Sequence, residues 1–145
     1  MADLDPLIRF RKYGVEEKQR LLAQLFREMQ ELEAQKSQIE EQMDTETAMA
    51  EELGQAETLA YLGRYLEGAR LKLRGIEAAI NKMEARIALA QEDMRAAFAE
   101  MKKIEIVDRN RQEREDAELK AKETRELDDI AIDQYRRNLV EESSN

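Results

Sequence analysis

Residues 51–62 read EELGQAETLAYL, and this stretch decides whether the chain is one very long helix or two. Gly54 is a natural helix stop and Thr58 a natural N-cap. The apolar spacing on the two sides also differs in phase. Upstream, steps of seven run from Ile8 through Val15, Leu22, Met29, Lys36, Met43 and Ala50, with Leu25, Leu32, Ile39 and Leu53 at most of the alternate d positions. Downstream, a second seam runs Leu59, Leu66, Leu73, Ile80, Ile87, Met94 and Met101, with Leu62, Ala69, Ile76, Met83, Ala90, Ala97 and Ile104 at d. From Leu53 to Leu59 is six residues, where an unbroken heptad seam steps by about four. The spacing therefore predicts a turn over about 54–58, an ordinary length between antiparallel helices.

Folding the chain at that turn pairs the two seams in one register. Leu53 with Leu59, Leu32 with Ile80, Met29 with Met83, Leu25 with Ile87, Val15 with Ala97 and Ile8 with Ile104 all have residue numbers that add to 112. The charge pattern points the same way. Residues 28–57 hold ten acids and the single base Lys36, and the segment they would face carries Arg64, Arg70, Lys72, Arg74 and Lys82. Such flanking pairs contribute only tenths of a kcal/mol each, so their expected role is to select register. Asp5 is a candidate N-cap for the first helix, and Pro6 suits its first position, where a missing N–H leaves no hydrogen bond unmade.

The second seam then runs out. Residues 108–127 read DRNRQEREDAELKAKETREL, a helix-forming composition without an apolar stripe. In the register above, the first helix ends opposite residue 106, so the second loses its stripe where it loses its partner. Residues 108–140 would project about 50 Å if helical, and an unsupported helix of that kind is marginal in water. A short apolar face returns at Leu127, Ile130, Ala131, Tyr135 and Leu139 and reads as a docking face for another protein. The alternative is a frayed, solvated tail. The predicted fold is all-α, an antiparallel two-helix coiled-coil hairpin with an overhanging C-terminal helix. It is one domain over 1–145, with helix 1 at about 6–53, helix 2 at about 59–140 and a tail at 141–145.

Composition excludes much else. The chain has 145 residues, 39% of them charged, a net charge of -9, and no cysteine or histidine. Without those residues there is no thiol nucleophile and no imidazole for general-base or metal work, and none of the five glycines sits in a phosphate-cradling loop. Adjacent acids such as Asp128 and Asp129 diverge by about 100° on a helix, which prevents convergence on one cation. No enzyme activity, cofactor or metal is expected. An acidic surface also disfavours nucleic acid, although Arg9, Arg11 and Lys12 form a local basic cluster that is otherwise just a solvated first turn. No run approaches the roughly 18 apolar residues of a membrane span, and the start, MADLDPLIRF, lacks the pattern of a secretory signal. A cytosolic protein is expected.

Three smaller features carry two readings each. Met29, Met43, Met83, Met94 and Met101 lie in the seam, where methionine is a pliable filler. Lys36 and Glu46 occupy seam positions, where they either fix register or extend into solvent. Gly63, Gly68 and Gly75 weaken an exposed helix by about 1 kcal/mol each against alanine. With Tyr61 and Tyr65 nearby, they mark either a bend or a surface of close approach at the hairpin tip.

The segments LIRFRKYGVEEKQRLLAQL (7–25), ETLAYLGRYLEGARLKLRGIEAAI (57–80), DRNRQERED (108–116) and ETRELDDIA (123–131) together resemble the FliJ family of the bacterial flagellar export apparatus over nearly the whole chain. The more telling parts are Tyr61, Tyr65 and Leu66 and the acidic-basic tail. The resemblance implies a coiled coil similar to the central stalk of rotary ATPases, with the hexameric export ATPase, the membrane export gate and export chaperones as partners. It implies a place in the cytoplasm, peripheral to the inner membrane through those partners. By position, Arg9, Arg11, Lys12, Leu127, Ile130 and Tyr135 would contact the ATPase ring, and Tyr61 and Tyr65 the gate. The residues alone also admit a structural coiled-coil homodimer and a holdase chaperone, and the resemblance leaves open the equivalent stalk of a virulence secretion system.

Overall fold

A computed structural model describes residues 4–144. Among them the chain forms two α-helices and no strand: α1 is Asp5–Leu53 and α2 is Ala56–Ser144. The chain divides into two units. One is Phe10–Ala99; the other joins the described residues up to Arg9 with those from Glu100 onward.

The helix ends follow from their backbone bonds. The Ile8 N–H donates to the Leu4 carbonyl at 2.9 Å, so α1 starts one residue earlier than expected. Asp5 is its first helical residue, not its cap. Pro6 is still harmless there, because the N–H groups of a first turn have no partner within the helix. At the other end the Gly54 N–H donates to the Ala50 carbonyl at 3.0 Å, and Gly54 adopts a φ of 66°. This left-handed residue is the usual way to end a helix while satisfying a terminal carbonyl.

The turn is shorter than GQAET suggested. Only Gly54 and Gln55 separate the helices, and the Gln55 carbonyl accepts the first α2 bond from the Leu59 N–H at 3.0 Å. Gly54 supplies the whole stop, so Ala56, Glu57 and Thr58 enter the first turn of α2, where the Glu57 charge favours the helix dipole. Leu53 and Leu59, expected to pair across the turn, are both exposed. At the C-terminal end α2 continues past residue 140 to Ser144, and Asn145 of the expected tail lies outside the described residues.

Gly54→Ala isolates the effect of the turn. A Cβ at this position would come no nearer than 3.9 Å to the Glu51 carbonyl oxygen, so there is room for it. An L-residue nevertheless loses about 1–2 kcal/mol in the left-handed region. Urea unfolding should show a loss of that size; an unchanged midpoint would mean that the turn relaxes.

Within Phe10–Ala99, Leu25 and Met29 of α1 form a core cluster with Met83, Ile87 and Ala90 of α2, and Leu22, Leu32 and Ile80 pack against it. A second contact joins the two helices at Lys36 of α1 and Glu77 of α2, 3.7 Å apart. No described side chain is completely buried, as expected where two helices share one seam with water on either side. Lys36 keeps its seam position half-buried and extends its ammonium to the edge.

The expected match of α1 acids with α2 bases does not occur. Among the described residues Arg64, Arg70, Lys72, Arg74 and Lys82 form no ion pair, and the Lys36–Glu77 bridge between the helices has the opposite polarity, a base on α1 and an acid on α2. The other bridges are local pairs three residues apart. Long exposed side chains gain too little from one fixed geometry to be held across the seam.

Candidate partner-binding surfaces

The second unit corrects where the seam ends. Met101, Ile104, Asp108, Arg111 and Glu115 follow the three-four spacing of the earlier seam, and all are buried or half-buried. Asp108 is only 7% exposed. Its carboxylate is satisfied on its own helix: Arg111 Nη2 donates to Oδ1 at 3.0 Å, and Gln112 Nε2 donates to Oδ2 at 3.1 Å. Two partners on the next turn let a charge occupy a buried seam position. Glu115 Oε1 is shielded from solvent and has no hydrogen-bond partner among the described residues. The apolar content of the seam ends near residue 106, but a polar layer extends it to Glu115. In the same unit, Leu4, just before α1, and Ile8, near its start, are half-buried.

From 116 to 144 every residue is helical and exposed. Leu127 is 67%, Ile130 55% and Tyr135 65% exposed, so all three side chains are available to a partner. At about 100° per residue, Tyr135 lies roughly 80° around from Leu127 in one direction and Ile130 about 60° in the other. Ala131 falls between Leu127 and Tyr135. Ile132 and Leu139, both exposed, extend the strip beyond Tyr135. Ile132 was not among the expected docking residues, although its hydropathy and position mark it in the sequence. The middle of the strip, at Ala131, is roughly 160° around α2 from Glu115, so it faces away from the seam side.

The three basic candidates stand on α1's first turns. Arg9, Arg11 and Lys12 are exposed, but Arg9 belongs to the same unit as Leu127, Ile130 and Tyr135, while Arg11 and Lys12 belong to the other. Tyr61 is 56% exposed. Tyr65 is half-buried and lines a shallow concavity between α1 and α2. Gly63, Gly68 and Gly75 lie inside the unbroken α2, and a Cβ on any of them would meet nothing within 4 Å. Nothing inside the chain requires their smallness. Among the described residues no group of three carboxylates is placed to hold a metal ion, and no helix is long and apolar enough to cross a membrane.

Two long helices whose candidate functional residues, apart from the half-buried Tyr65, are exposed side chains define the class of helical proteins without an enclosed site. The family model described as Flagellar FliJ protein matches residues 1–139, and the chain belongs to the FliJ family. Membership of that family makes it a component of the flagellar export apparatus. No curated protein and no solved structure matches the chain.

Proposed function

We propose that the chain is a stalk-like subunit of the export apparatus, an antiparallel two-helix coiled coil with an overhanging C-terminal helix. In this reading Leu127, Ile130 and Tyr135, together with the basic Arg9, Arg11 and Lys12, dock on the hexameric export ATPase and promote its assembly. Tyr61 and Tyr65 contact the membrane export gate, and export chaperones are further partners. The protein works in the cytoplasm and reaches the inner membrane through these partners.

The observation that carries the reading is the wholly exposed helix from 116 to 144. Helix without tertiary contact is weakly held, and apolar side chains along it lose contact with water only when something docks. Full burial of a large apolar side chain contributes about 1.5–3 kcal/mol, so three such anchors reach a useful affinity after the cost of ordering the interface. The chain performs no chemistry. Its effect comes from binding the assembled ring more tightly than free ATPase subunits, which shifts the assembly equilibrium.

Added to its export ATPase, the protein should raise turnover most at concentrations where the ATPase alone is largely unassembled. Absence of stimulation at every concentration, together with no co-elution, would eliminate the stalk reading and leave a structural homodimer or a holdase.

A further inference from the structure

Near the turn, Ile39 and Gln42 of α1 and Arg64, Tyr65, Gly68 and Lys72 of α2 line a shallow notch of about 280 Å³. Three observations there belong together. No carboxylate lines the notch. Arg64 and Lys72 form no ion pair among the described residues, although residues 28–53 of the neighbouring helix hold nine acids. Gly68, midway between the two cations, leaves a gap where a Cβ would touch nothing within 4 Å.

We infer that this notch receives a helix from a partner protein, bearing an acid, an apolar residue four positions on and a second acid four further on. Arg64, Gly68 and Lys72 are spaced four and four, so they form a ridge about 12 Å long with a gap at its centre. A helix with the complementary spacing sets an apolar side chain over Gly68 and a carboxylate against each cation. The groove between two packed helices suits a third helix as occupant. On a chain of net charge -9 an acidic partner is repelled by most of the surface, so two local cations fix where it settles and in what register. Two cations are too few to hold a nucleic acid, whose binding needs many phosphates neutralised.

The inference rests on the gate-facing reading of Tyr61 and Tyr65 only for the origin of the partner. The probe is a stapled helical peptide with Glu, Leu and Glu at that spacing, titrated to millimolar concentration into the ¹⁵N-labelled full chain. Peptides with Gln or Lys in place of both Glu residues are the comparisons. The Glu peptide should shift the amide resonances of Arg64, Gly68 and Lys72 in a saturable way, and the Gln peptide should bind more weakly. The double variant Arg64→Glu, Lys72→Glu should lose about tenfold in affinity for the Glu peptide, since two solvent-accessible ion pairs each contribute up to about a factor of five. That variant should take the Lys peptide instead. Gly68→Leu should abolish binding without lowering helix content.

No shift at millimolar Glu peptide, equal binding of the Glu and Gln peptides, or binding that survives Gly68→Leu would each overturn the notch. The gate-facing reading fails separately. If the peptide binds as described but the double charge variant and Tyr61→Ala, Tyr65→Ala both export normally, the notch stands and the gate reading falls. If the tyrosine variant blocks export while the peptide leaves the notch unmoved, the reverse holds.

Discussion

Leu25→Asp combined with Ile87→Asp should leave the chain without stable helical structure at room temperature. Both residues belong to the core cluster that joins α1 and α2. Truncating a buried leucine or isoleucine even to alanine removes about 2–5 kcal/mol. Aspartate adds the burden of a carboxylate without a partner, facing another of the same charge. A small domain has about 5–15 kcal/mol of stability in total, so the pair consumes most or all of it. Circular dichroism should show the helical signal collapse. The same change at Leu127, 67% exposed on α2, should alter stability by no more than about 0.5 kcal/mol. A double variant that stayed fully helical would show that the seam between the helices is not what holds them.

Ending the chain after Ala117 should separate stability from function. Glu115 is the last half-buried residue of α2, and everything beyond it is exposed. The shortened protein should keep its thermal unfolding midpoint within a few degrees, because few tertiary contacts are removed, yet it should lose all stimulation of the export ATPase. A cut after Val107 removes Asp108, Arg111 and Glu115 as well, so this shorter chain should be measurably less stable. Normal stimulation by the chain ending at Ala117 would move the docking site off the C-terminal helix.

How far the sequence carried depends on how strongly each feature constrains the chain. The seam was legible at Leu25, Met29, Met83 and Ile87 because a two-helix protein has only one place to bury apolar groups, and heptad spacing records it. Gly54 was legible as the stop because few residues other than glycine adopt a positive φ readily. The length of the turn was not, since Thr58 fits the third position of a first turn as well as it fits a cap. Hydropathy misread Asp108, Arg111 and Glu115 as the end of the seam. A carboxylate bonded by residues three and four positions later can occupy a buried position, and apolar periodicity does not register such bonds. Charge composition likewise promised cross-helix pairs for Arg64 and Lys72 that water makes unprofitable.

The candidate surfaces were legible as helix but less so as sites. Phe10, Leu71 and Leu89 are exposed and apolar in the same way as Leu127 and Ile130, so a single sequence does not rank them. Tyr61 and Tyr65 were singled out together, yet one stands in solvent and the other lines the notch. That difference depends on Ile39 and Gln42 across the groove, which no local pattern in α2 reveals.

The two-residue turn also sets the order in which the molecule can assemble. Ala50 and Leu62 are the buried seam positions nearest Gly54, and bringing them together closes a short loop. Joining Leu25 to Ile87 directly from the unfolded chain would be about 1.5 kcal/mol harder in loop entropy. Pairing therefore starts beside Gly54 and travels outward, with each new layer formed on the one before. The penalty in Gly54→Ala should then appear mainly as slower refolding in stopped-flow measurements, with the unfolding rate nearly unchanged, because the turn is already in place at the transition state.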